Sequence, residues 1–138
     1  MCAKCPEGTY SSGTGATSDG VCVTCPAGTT SPAGSSEVED CLNLCPAGKT
    51  GPAGSCVLCE ASKYKSGSGP EACSPCPVIT DSSEGSAYCS CNAGYTGPNG
   101  GPCAECAAGK YKTQTGSGTC TLCNAGQYSN QVGASSSG

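Results

Sequence analysis

The apolar residues of this chain form no helical stripe. No stretch keeps apolar residues at i, i+3 and i+4 over three turns, the longest apolar run is a few residues, and Gly, Pro, Ser and Thr interrupt every candidate. What does recur is cysteine, in eight close pairs: Cys2/Cys5, Cys22/Cys25, Cys41/Cys45, Cys56/Cys59, Cys73/Cys76, Cys89/Cys91, Cys103/Cys106 and Cys120/Cys123. The loops between successive pairs hold ten to sixteen residues, the signature of a short tandem repeat. Short two-stranded ladders and turns are the predicted elements, with almost no helix.

The clearest copy of the unit is CAAGKYKTQTGSGTCTLC, Cys106 to Cys123. Glycine stands three residues after the opening cysteine at Gly8, Gly28, Gly48, Gly94, Gly109 and Gly126, and tyrosine five after it at Tyr10, Tyr64, Tyr111 and Tyr128. Proline follows the cysteine directly at Pro6, Pro26, Pro46 and Pro77. A glycine there suits a tight turn that needs positive φ, and the tyrosine is the one large side chain at hand to cover the neighbouring disulfide. Ser62 and Ile79 stand where the glycine belongs, which leaves the turn type of those two loops open. Leu44, Leu58 and Leu122 are expected to pack between neighbouring loops.

Composition changes this picture in one respect. Leu, Ile and Val total 11 of 138 residues and Phe, Trp and His are absent, too little to offset the conformational entropy of the chain without cross-links. With 16 cysteines it reads instead as a disulfide scaffold made in an oxidising compartment, secreted or an ectodomain. Net charge is −4, with six lysines and no arginine, so no basic face exists to neutralise nucleic acid or an anionic membrane surface. There is no transmembrane run, and residues 1–30 hold no signal-peptide core. Met1 is therefore expected not to be the natural start, and the chain to be a mature piece or a window of a longer one.

The repeat C-P-x-G-x-Y, polar loop, C-x-x-C is interleaved with CSCNAGYTGPNGGPC, residues 89–103, whose C-x-C-N-A-G-Y-x-G resembles the C-terminal half of an EGF-like module with Cys91 and Cys103 as its last bridge. The whole chain resembles the ephrin-receptor-like cysteine-rich repeats, relatives of EGF-like and TNF-receptor modules. The resemblance implies a small disulfide-rich fold, a linear array of short modules with β-hairpins and no significant helix. It also implies pairing within each loop: Cys5 with Cys22, Cys25 with Cys41, Cys45 with Cys56, Cys59 with Cys73, Cys76 with Cys89, Cys91 with Cys103, and Cys106 with Cys120. The modules would then be 5–22, 25–41, 45–56, 59–73, 76–89, 91–103 and 106–120. From the residues alone, pairings that skip a module stay open.

That pairing leaves over Cys2 and Cys123. The segment after Cys123, if followed by Met1 and Cys2 of another copy, makes a loop as long as the one between Cys5 and Cys22. It also matches in content, Gly126 with Gly8, Tyr128 with Tyr10, Ser129 with Ser11 and Gly133 with Gly15. An eighth module split between residues 123–138 and residues 1–2 of a following copy, closed by an inter-copy disulfide, predicts head-to-tail continuation with further copies of the chain. An interface of that kind that does not close makes an open filament. The preferred reading at this level is a structural building block of an extracellular fibre, and the alternative is a spacer or ligand-binding stalk of a cell-surface receptor or adhesin.

Other chemistry fits less well. Repeated C-x-x-C is also zinc-ribbon spacing, but eight pairs without a histidine favour disulfides, and no strand-helix context marks a redox C-x-x-C. Glu37, Glu39, Asp40, Asp81 and Glu84 form no D-x-D-x-D-G calcium loop. Nothing pairs a nucleophile with a base, so no enzyme, cofactor or metal is expected. Ser and Thr crowd the loops, making Thr14, Thr17, Thr29, Thr30 and Ser31 candidates for O-glycans, with Pro32, Pro52 and Pro98 open to hydroxylation and glycosylation. No N-x-S/T sequon is present.

Overall fold

The computed structural model describes residues 2–137. Each loop builds one antiparallel hairpin of two-residue strands: β1 (Thr9–Tyr10) with β2 (Val23–Thr24), β3 (Thr29–Thr30) with β4 (Leu42–Asn43), β5 (Lys49–Thr50) with β6 (Val57–Leu58), and β7 (Lys63–Tyr64) with β8 (Ser74–Pro75). The series continues with β9 (Thr80–Asp81) and β10 (Ser90–Cys91), β11 (Tyr95–Thr96) and β12 (Ala104–Glu105), and β13 (Lys110–Tyr111) and β14 (Thr121–Leu122). Single 3-10 turns, Asp19–Val21 and Val38–Asp40, lead into Cys22 and Cys41. The chain is a linear array of small cysteine-rich modules.

The local cause of each hairpin is one turn. Thr9 N–H donates to the Pro6 carbonyl with Gly8 at φ 80°, the sign pattern of a type II turn, and the same bond recurs from Thr29 to Pro26 and from Lys49 to Pro46. Ser62 and Ile79 keep the turn rather than abandon it, at φ 63° and 62°, although left-handed backbone costs an L-residue about 1–2 kcal/mol. For Ser62 a compensation is visible, since its Oγ donates to Asp81 Oδ1 of the next loop at 2.7 Å. Ile79 instead lines a shallow apolar cleft with Tyr64, Pro77, Val78 and Pro102.

The buried centre is cystine. Cys25, Cys45, Cys59, Cys89, Cys91 and Cys106 are its apolar members, joined by the polar side chains of Ser31, Lys65 and Lys112. Leu58 packs between loops as its sequence suggests, with its side chain against Gly85 of loop 76–89, yet stays 47% exposed. Leu122 remains 66% exposed on the closing strand of a hairpin with only two strands.

Candidate functional site

In a chain of this kind the functional element is the contact from one loop to the next, and hydrogen bonds show a period of three loops. Loops 45–56, 59–73 and 76–89 form one triplet, and 91–103, 106–120 and the segment from Cys123 onward form another.

From first to second member, Gly48 N–H donates to the Lys65 carbonyl and Gly94 N–H to Lys112, each at 2.8 Å, while Gly69 and Gly116 N–H donate to Cys45 and Cys91. Thr50 and Thr96 hydroxyls donate to the carbonyls of Glu71 and Gly118. From second to third, Ser62 N–H donates to Ser82 and Gly109 N–H to Ser129, and Gly85 and Gly133 N–H donate to Cys59 and Cys106. Loops 5–22 and 25–41 repeat this second-to-third set, with Gly8 N–H on Ser31, Ser11 N–H on Ser35 and Gly34 N–H on Cys5.

The first and third members also touch. A Cβ on Gly48 would lie 2.1 Å from the Gly85 carbonyl oxygen, and one on Gly94 would lie 2.2 Å from that of Gly133. These glycines are needed for close approach as well as for φ.

At the centre of each triplet sits a buried lysine. Lys65 Nζ donates to the carbonyls of Cys45 at 3.0 Å, Lys49 at 2.9 Å and Gly69. Lys112 Nζ donates to Cys91 at 3.1 Å, Tyr95 at 2.7 Å and Gly116. Lys65 is 6% and Lys112 7% exposed, and neither has a carboxylate partner among the described residues. Burial draws the Lys112 amine below its ordinary value. The three carbonyl oxygens use all three protons of an ammonium. Each ammonium thus clasps the first loop to the second by main-chain oxygen alone. Gly51 and Gly97 occupy the equivalent place in the first loops, where a Cβ would instead meet the Ser55 and Pro102 carbonyl oxygens of the same loop, at 2.6 and 2.2 Å. In the third loop serine stands there, as Ser82 donating to Lys63 O, and Ser31 likewise donates to Thr9 O.

The clasp was missed by reading the cysteine period alone. Its signal was present as K-Y-K, Lys63-Tyr64-Lys65 and Lys110-Tyr111-Lys112, which uses four of the six lysines.

The remaining sequence candidates are placed as follows. Disulfides join Cys5–Cys22, Cys25–Cys41, Cys45–Cys56, Cys59–Cys73, Cys76–Cys89, Cys91–Cys103 and Cys106–Cys120. Cys2 is a free exposed thiol and Cys123 a free half-buried one. Met1 and Gly138, at the edges of the split module, lie outside the described residues. Thr14, Thr17, Pro32, Pro52 and Pro98 are exposed, and Thr29 and Thr30 are half-buried. Ser31 is not available to a glycan, because it is 1% exposed and its Oγ is committed to Thr9.

Disulfide-closed hairpins clasped loop to loop, without a hydrophobic core, define a cysteine-rich repeat of the extracellular type. Residues 94–137 match the family described as tyrosine-protein kinase ephrin type A/B receptor-like. That segment is an ephrin-receptor-like cysteine-rich repeat, and it coincides with the second triplet from its first turn onward. No curated protein matches the chain. The disulfides and the receptor-like repeat point to an extracellular or cell-surface location, and no helix of the described residues is long and apolar enough to cross a membrane.

Proposed function

We propose that the chain is a spacer, a stalk segment of an extracellular or cell-surface protein that holds other parts at a distance, with no catalytic role and with O-glycans confined to exposed loop residues such as Thr14, Thr17 and Pro32. The observation that carries this reading is the clasp. Within each triplet a loop hands its hydrogen bonds to the next through main-chain groups, and a buried lysine clasps the first loop to the second, so the sequence is used for stacking, and a receptor-like repeat supplies the context.

A fibre built head to tail is the second reading, favoured by free thiols at Cys2 and Cys123. The triplet phase counts against it. Cys2 is linked to Cys5 by C-x-x-C, as Cys56 and Cys103 are linked to the cysteines that follow them, and it precedes a second-member loop, which makes it the closing cysteine of a first member. Cys123 opens a third member. A composite loop made from the two would join halves of different kinds, and their similar composition does not remove that mismatch.

Alkylation of the oxidised protein without reductant, followed by peptide mapping, tests the choice. The stalk reading expects both Cys2 and Cys123 to be alkylated in a monomer. A Cys123–Cys2 peptide between copies, with a ladder on a non-reducing gel, would overturn it in favour of the fibre.

A further inference from the structure

The two places where the cysteine spacing departs from C-x-x-C are also the two places where the loop-to-loop bonding set changes, leaving one backbone bond at each, with a Ser90–Asn99 side-chain bond added at the second. At regular links the amide that extends the hairpin belongs to the opening cysteine itself: Cys25 N–H donates to Gly8 O, Cys59 to Gly48, Cys76 to Ser62, Cys106 to Gly94 and Cys123 to Gly109. In Cys41-Leu-Asn-Leu-Cys45 the bond falls one residue early, from Leu44 to Gly28, and in Cys89-Ser-Cys91 one residue late, from Asn92 to Ile79. Side chains alternate along a strand, so a one-residue displacement turns the opening cysteine to the other face and launches the next loop in a new direction.

The bonds follow suit. Across Cys41–Cys45 no backbone bond equivalent to Gly8–Ser31 or Gly34–Cys5 is present among the described residues, and Gly54 N–H turns back to Asn43. Across Cys89–Cys91, Gly100 N–H turns back to Cys89 in the same way. No lysine clasp spans either link. The second junction is also poorly filled, with the apolar cleft of Pro77, Val78 and Ile79 facing Pro102 and leaving Val78 88% exposed.

We infer that the chain is segmented: residues 5–41, 45–89 and 91–137 each move as a rigid body, and the chain bends at the links Cys41–Cys45 and Cys89–Cys91. There strands β4 and β10 pair backward with β3 and β9, and one backbone bond each, Gly54 to Asn43 and Gly100 to Cys89, reaches back from the next loop. A change of a single residue between paired cysteines is then the device that sets where this array bends. The inference goes beyond the spacer reading and does not depend on it, because a fibre subunit could be jointed equally well.

Residual dipolar couplings of the intact oxidised chain test it. Couplings within each of the three segments should fit one alignment tensor, and a joint fit of all segments should fail. A single tensor that fits residues 5–137 as well as the separate fits do would overturn the inference. A second measurement addresses the cause. Inserting one residue between Leu58 and Cys59 converts a regular link into a displaced one, and should abolish exchange protection at the Gly48 and Gly69 amides, which bond across that link in the native chain, while leaving Gly94 and Gly116 protected. If the inserted chain still fits one tensor over 45–89 and keeps that protection, register does not set the joints and the inference fails.

Discussion

Replacement of Lys112 by methionine removes the clasp of the second triplet while nearly conserving its volume. The ammonium makes three hydrogen bonds to carbonyl oxygens in a site 7% exposed. A hydrogen bond to a charged group contributes about 1.5–3 kcal/mol net, and an acceptor stranded without water loses about 1–3 kcal/mol. The three bonds are not independent. Cys91 O would keep its partner in Gly116 N–H, and methionine avoids the desolvation that the ammonium suffers. The balance is a loss of about 3 kcal/mol in the contact between loops 91–103 and 106–120.

Because the disulfides prevent global unfolding from reporting on one contact, native-state amide exchange is the suitable assay. Gly94 and Gly116 donate across this contact, and Gly48 and Gly69 are their counterparts in the first triplet. Lys112→Met should speed exchange of Gly94 and Gly116 about a hundredfold, at a factor of ten per 1.4 kcal/mol, and leave Gly48 and Gly69 unchanged. Unaltered exchange at Gly94 and Gly116 would mean that burying the charge costs as much as its bonds return, and the clasp would not hold the loops together.

Three further outcomes follow from the same contacts. Gly109→Ala should destabilise by about 1–2 kcal/mol, the left-handed cost alone, since open space surrounds its Cβ position, whereas Gly94→Ala at the same turn position and similar φ meets the Gly133 carbonyl and should cost roughly twice that by native-state amide exchange of matched variants. Asp81, held below the ordinary aspartate value first by the Ser62 hydroxyl and then by the Ser82 amide, stabilises the native contact above the unfolded pKa, and that contribution fades as pH falls through the lower folded value. A carboxyl chemical-shift titration placing Asp81 at or above about 3.9 would contradict this. Glycopeptide mapping of material from an O-glycosylating host should find sugar on exposed residues such as Thr14 and none on Ser31, and an occupied Ser31 would disprove its packed position.

The hairpins were legible because their determinants are local. A cysteine, a glycine three places on and a closing cysteine dictate a turn and two short strands wherever they recur, and Gly8, Gly48 and Gly109 all serve in that role. Ser62 and Ile79 hold the same turn because the surrounding loop enforces it, which the residue types alone oppose. The triplet was not legible from the period of the cysteines, since it lies in how loops bond to loops sixteen or more residues away. Lys65 and Lys112 look like solvated charges on a polar loop, and only the meeting of carbonyls from two loops makes a pocket for them. The exposure of Leu122 was hidden for the opposite reason, because in a chain without layers an apolar residue has no core to enter.

The buried lysines have a consequence for how the molecule meets proteases that cut after basic residues. The chain has no arginine, so its only such bonds follow Lys4, Lys49, Lys63, Lys65, Lys110 and Lys112. Two of these side chains are enclosed by carbonyls and cannot enter a specificity pocket without opening the clasp. Of the remainder, Lys49, Lys63 and Lys110 lie inside the rings Cys45–Cys56, Cys59–Cys73 and Cys106–Cys120. A cut at any of them opens a ring but releases no fragment, and the nicked chain stays connected from end to end through sulfur.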